Sequence, residues 1–167
     1  PAFIDISQVH EEDPTEFIVP ALGSWPRFTP PLRIGVMASG SGSNFEALYK
    51  ATTQGRLDAS LRLLIVNNPN CGAKERAARL QIPCQLIDHR LHSTRESLDH
   101  ALVSAFQAAN VEAVVMAGWM RIVTPTLIDA YPGRLINLHP SLLPSFKGLD
   151  AVGQALAAGD RISECSD

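Results

Sequence analysis

Cysteine is scarce in this sequence, and the few present do not pair by spacing. Cys71, Cys84 and Cys165 are the whole complement in 167 residues, an odd set with no C-x-x-C. That argues against a disulfide framework or a structural zinc site and fits a reducing, cytoplasmic setting. Long apolar runs are missing too: nowhere does the chain reach the roughly 18 uninterrupted apolar residues of a membrane-spanning helix, so no membrane partner is expected. A basic stripe is also absent. Lys and Arg number 14 against 17 acidic residues and are scattered, for a net charge of −3. Nucleic acid is therefore not an expected partner, and any anionic ligand must be held locally. What is present, 46% apolar and 19% charged residues, is the composition of a globular domain with one buried core rather than of a disordered chain.

The composition changes near residue 32. Six of the 12 prolines (Pro1, Pro14, Pro20, Pro26, Pro30 and Pro31) and five of the 17 acidic residues lie before that point, against one base, Arg27. The net acidity therefore belongs to this segment, and the remainder is close to neutral. Spaced prolines remove the backbone donors that a helix or central strand needs, so residues 1–31 read as an extended acidic arm. They carry neither the basic nor the apolar region of a secretory signal. Residues 32–167 read as one folded domain.

Beyond residue 32, short β-branched runs alternate with helical periods, the pattern of a three-layer α/β/α fold with a mostly parallel, Rossmann-like sheet. Strands are expected at Arg33 to Ala38, Leu61 to Val66, Cys84 to Asp88, Ala113 to Ala117 and Arg134 to His139. Helices are expected at Asn44 to Gln54, Gly72 to Leu80, Arg95 to Ala109, Pro125 to Tyr131 and Ala151 to Ala158. In the third of these, Leu98, Ala101, Leu102, Ala105, Phe106 and Ala109 form one apolar face, with Ser93 and Glu96 as its expected capping box. Ligands of such sheets bind beyond the carboxyl ends of the strands, and two segments there carry chemistry.

The first is Ser39-Gly40-Ser41-Gly42-Ser43-Asn44, between a strand and a helix whose Phe45 and Leu48 should face the sheet. Glycines permit a tight loop, and the helix start offers unpaired N–H groups and a positive dipole end, a natural cradle for a phosphate. Phe45 stands where the dinucleotide fingerprint needs a small residue, Asn67 rather than an acid ends the second strand, and no Lys follows as in a Walker loop. NAD and ATP are thereby disfavoured, and a Gly/Ser-rich turn without a ligand stays open. The second segment runs from Leu135 to Phe146. Strand alternation directs Asn137 and His139 to one face, and Pro140 ends the ladder. An amide that can stabilise an oxyanion beside an imidazole that can carry a proton suits acyl transfer; a histidine that only braces a neighbouring loop is the alternative. His89 and His92 lie in a connection rather than on a helical face, so no metal is expected.

Taken together, Gly40-Ser41-Gly42-Ser43-Asn44, Gly118-Trp119-Met120-Arg121-Ile122-Val123 and Asn137-Leu138-His139-Pro140-Ser141-Leu142-Leu143-Pro144-Ser145-Phe146 resemble the phosphoribosylglycinamide formyltransferases, a folate-dependent family of purine biosynthesis. The resemblance covers residues 33–167. It implies the formyltransferase fold and transfer of a formyl group from 10-formyltetrahydrofolate to the amine of glycinamide ribonucleotide, without a metal. Gly42, Ser43 and Asn44 would then hold the ribonucleotide phosphate. Arg95, Met120, Arg121, Ile122, Val123 and Asn137 would line the folate pocket, and Asn137 and His139 would be catalytic. Arg95 also sits in a first helical turn, where a cation opposes the macrodipole; a folate contact or simple solvation would account for it. Formyltetrahydrofolate hydrolases and methionyl-tRNA formyltransferases share the histidine segment in outline, and the glycine loop distinguishes them. The family's catalytic aspartate falls beyond Asp167, so the expectation is a formyltransferase domain incomplete at its C-terminus and weak or inactive alone; the alternative is an inactive nucleotide-binding fragment, which would keep phosphate affinity without turnover.

Overall fold

The structure is a computed structural model that describes residues 28–138. His139, the expected helix from Ala151 to Ala158 and nearly all of the N-terminal extension lie outside those residues. The described chain runs β1 (Leu32–Ala38), α1 (Ser43–Thr53), β2 (Ala59–Val66), α2 (Gly72–Arg79), β3 (Cys84–Leu86), a 3-10 turn (His89–Leu91), α3 (Arg95–Ala108), β4 (Ala113–Ala117), α4 (Pro125–Ala130) and β5 (Leu135–Leu138). All five expected strands and the four expected helices that fall here begin and end within two residues of these bounds, His139 at the end of the last strand lying just outside the described residues. β3 is shorter than expected because its ladder stops at Leu86; Ile87 N–H still reaches the Val66 carbonyl, and Asp88 then caps the 3-10 turn.

Five parallel strands form a sheet in the order β3-β2-β1-β4-β5. The chain moves outward from β1 through β2 to β3, then crosses to the other side for β4 and β5. β1 and β4 therefore flank the point where the winding reverses, and a crevice opens beyond their carboxyl ends.

Alternating strand residues feed two cores, one on each face. Val36, Ala38, Leu64, Val66 and Val115 pack with Phe45 of α1 and Ala73 and Ala77 of α2. Met37, Ile65 and Val114 pack with Leu98, Leu102 and Phe106 of α3 and Leu127 of α4. Phe106 lies so close to β1 that a Cβ at Gly35 would stand 2.4 Å from its ring, so only glycine fits there. The register slips between Ile34 and Gly35, which pair with Leu61 and Leu63, leaving Arg62 as an extra, exposed residue in β2.

The apolar face expected for α3 is the face that packs, but its cap is one residue later than Ser93. Thr94 takes the extended N-cap conformation and its Oγ1 accepts from Ser97 N–H at 3.0 Å, while Ser97 Oγ accepts from Thr94 N–H at 3.5 Å. Ser97 therefore replaces Glu96 as the reciprocal partner. Adjacent residues that can both cap are separated by the angle at which the chain enters the helix, a tertiary property.

Candidate functional site

The glycine loop joins β1 to α1 through Gly42, the N-cap of α1, which adopts a left-handed conformation with φ of 79°. A Cβ there would also lie 2.6 Å from Ala73 Cα, so glycine is required both by conformation and by space. The first turn of α2 abuts the loop: Ala73 N–H donates to the Gly40 carbonyl at 3.1 Å, and Arg76 Nε donates to the Ser41 carbonyl at 2.9 Å. No side chain caps α1, and its first backbone bond runs from Glu46 N–H to the Gly42 carbonyl. The N–H groups of Ser43, Asn44 and Phe45 thus have no acceptor within the helix.

Glu46 would oppose an anion at this helix start were it alone. It is engaged by Arg76, Lys50 and Arg79, and the Arg76 hydrogen bond foremost holds its carboxyl below the usual carboxylate range. Cations outnumber the carboxylate in this cluster. Dipole, free N–H groups and local charge all favour an anion.

Beyond β4, Gly118 turns the chain with φ of 75° into a loop that meets the glycine loop directly. Ser39 N–H donates to the Gly118 carbonyl at 3.1 Å, and Ser39 Oγ accepts from Met120 N–H at 3.0 Å. Trp119 is buried, whereas Met120 and Ile122 are 66% and 68% exposed. Val123 packs on the α3/α4 core. Two of the three segments singled out in the sequence are therefore hydrogen-bonded to one another at the reversal point of the sheet.

An open cleft of about 410 Å³ lies at the same strand ends, lined by Ser39, Asn67, Asn68, Pro69, His89, Arg90, Met120 and Arg121. Asn67 is only 3% exposed, and His89 Nδ1 is buried without a hydrogen bond among the described residues. Arg90 donates to both oxygens of Asp88, and these bonds hold the Asp88 carboxyl far below its ordinary value. Asn68, His89 and Arg90 were not singled out in the sequence as site residues, and Asn67 only as the lack of an acid. Their common signal is position, since each follows the end of β2 or β3.

The other expected site residues are more dispersed. Arg95 is exposed at the first position of α3 and does not line this cleft. Asn137 pairs with Met116 in β5 and is exposed, next to the end of β4. No group of three or more His, Cys, Asp or Glu side chains among the described residues could hold a metal ion. No described helix is long and apolar enough to cross a membrane.

Comparison with known proteins agrees with this geometry. The formyl transferase family profile matches residues 32–166. The phosphoribosylglycinamide formyltransferase of Bacillus subtilis is 39% identical over 131 residues, spanning 78% of this chain and 67% of that one. A human trifunctional purine biosynthetic protein, adenosine-3, is 35% identical over 134 residues, 80% of this chain but 13% of its own length. Among solved structures, glycinamide ribonucleotide transformylase 1 of Geobacillus kaustophilus superposes with a TM-score of 0.73 at 38% identity, covering 77% of this chain and 69% of that one. The Symbiobacterium toebii transformylase gives 0.76 at 36% identity, covering 81% and 64%. This chain thus spans about two thirds of the single-function relatives and a small part of the trifunctional ones. With the all-parallel sheet, the glycine loop and most of its length accounted for, the chain belongs to the formyl transferase family.

Proposed function

We propose that this chain provides the substrate-binding part of a phosphoribosylglycinamide formyltransferase, acting in the cytoplasm on glycinamide ribonucleotide and 10-formyltetrahydrofolate. The observation that carries this reading is the junction at Ser39. It sets a loop suited to an anion against a loop that presents exposed apolar side chains and an arginine. A sugar phosphate fits the first and a partly apolar ring system the second, with the reacting atoms between them.

In this reading the N–H groups of Ser43 and Asn44 at the start of α1, together with Gly42, take the phosphate. Met120, Arg121, Ile122 and Val123 take the folate, with Arg95 at its outer side. The amine nitrogen of the ribonucleotide attacks the formyl carbon, giving a tetrahedral carbon with a negative oxygen. The Asn137 amide donates a hydrogen bond to that oxygen, where donors aimed at developing charge are most effective. The His139 imidazole, which can both accept and donate a proton, moves the proton from the attacking nitrogen toward N10 of the folate. The carbon–N10 bond then breaks, releasing tetrahydrofolate and the formylated amide.

Calorimetric titration of the chain with glycinamide ribonucleotide tests the reading. Saturable binding that is lost in Ser43→Asp supports it, because a carboxylate at the exposed first position of α1 would meet the phosphate with like charge. Equal binding by both proteins, or no binding by the parent chain, overturns it.

A further inference from the structure

We propose that Asp99 is a positioning residue for the loop from Gly118 to Thr124, and through it for the folate co-substrate; the inference rests on the functional reading above. Asp99 lies on α3 and is 1% exposed. Its buried neighbours on the helix, Leu98, Leu102 and Phe106, are apolar and serve the core. A carboxylate buried there is unfavourable unless donors meet it, and both donors come from one residue. Thr124 N–H and Thr124 Oγ1 donate to Asp99 Oδ2 at 2.6 and 2.8 Å. Thr124 Oγ1 in turn accepts from Thr126 N–H at 3.3 Å and caps α4. One carboxylate oxygen on α3 therefore fixes both the last residue of the loop and the first turn of the next helix.

The opposite end of that loop is fixed by Met120 N–H on Ser39 Oγ. Met120 to Val123 stand between the two anchors. The loop lies against solvent on the side of Met120 and Ile122, so packing over those side chains does not hold it. Its shape is imposed by these two anchors together with the packing of Trp119 and Val123 on the core. Asp99 itself is enclosed behind Thr124, does not line the cleft, and acts only by presenting the loop.

The test uses the whole chain and two ligands, tetrahydrofolate and glycinamide ribonucleotide, titrated separately. Thr124→Val removes the hydroxyl bond and keeps the side-chain volume; Asp99→Asn removes the charge; Thr124→Ser keeps both donors. Thr124→Val should weaken tetrahydrofolate binding by roughly tenfold and leave ribonucleotide binding within about twofold. Thr124→Ser should bind both as the parent does, and Asp99→Asn should follow Thr124→Val; should Asp99→Asn not fold, the two threonine variants decide the question. Unchanged tetrahydrofolate affinity in Thr124→Val, or equal weakening of both ligands, overturns the proposal. A parent chain that binds neither ligand overturns the functional reading itself, which separates the two failures.

Discussion

The two loops that meet at Ser39 are held in opposite ways. The glycine loop is held by its backbone: Gly42 presses against Ala73, the Gly40 and Ser41 carbonyls accept from α2, and no side chain caps α1. The loop after β4 is held by side chains, Ser39 at one end and Asp99 with Thr124 at the other. A backbone-held loop leaves its N–H groups free for a ligand. A loop held at its ends leaves its middle side chains free, here Met120 and Ile122. Each mode of support leaves exposed the chemistry that its proposed ligand requires.

Substitutions can break this contrast one support at a time. The largest effect is expected at Gly42. Gly42→Ala forces a side chain into a left-handed conformation and against the Ala73 backbone, and should cost on the order of 1–3 kcal/mol of stability. Urea unfolding reads the loss, and calorimetry should show ribonucleotide binding abolished while tetrahydrofolate binding survives in the folded fraction. Ser39→Ala comes next, because it removes the Met120 N–H acceptor at the seam. A lost bond of about 1 kcal/mol predicts a weakening of several fold, and it should appear for both ligands, unlike the one-sided loss in Thr124→Val.

Arg76→Ala should be milder. It removes the donor to the Ser41 carbonyl and the main partner of Glu46, both near the surface. Only ribonucleotide binding should weaken, by a few fold, and the difference from the parent should shrink at high salt. Smaller still is an acid effect. Glu46 and Asp88 have folded pKa values below their ordinary ones, so their contribution is complete above the unfolded values and is lost as pH falls through the folded ones. Both groups are on the surface, so the loss below about pH 4 should be slight. It should diminish in Asp88→Asn, as followed by thermal melts in citrate and glycine buffers.

The sequence made the sheet legible because its strands are short β-branched runs between clear helical periods. Val36 to Ala38 and Leu64 to Val66 alternate between two cores as a doubly covered strand requires. The glycine loop was legible because Gly42 is needed locally. The cleft was less so. Asn67 and His89 are separated by 22 positions and become neighbours only when β2 and β3 pair, and nothing in either residue's immediate surroundings marks it. Asp99 was hidden for the same reason: on α3 it reads as one more polar residue, and its partner Thr124 is 25 residues away. The capping residue of α3 was misread by one position where Ser93 and Thr94 offer the same chemistry side by side. Residues at strand tips are the recurring omission, and applying the carboxyl-end rule to every strand would have recovered Asn68, His89 and Arg90.

The supernumerary Arg62 in β2 has an evolutionary reading. On either side of it, Leu61 and Leu64 belong to one core and Leu63 and Ile65 to the other. Excising Arg62 would restore strict alternation without sending any leucine or isoleucine to the wrong side. Loss of one codon is therefore tolerable at Arg62 and ruinous at Leu63, where the same excision would put the Arg62 charge in the place of a core leucine.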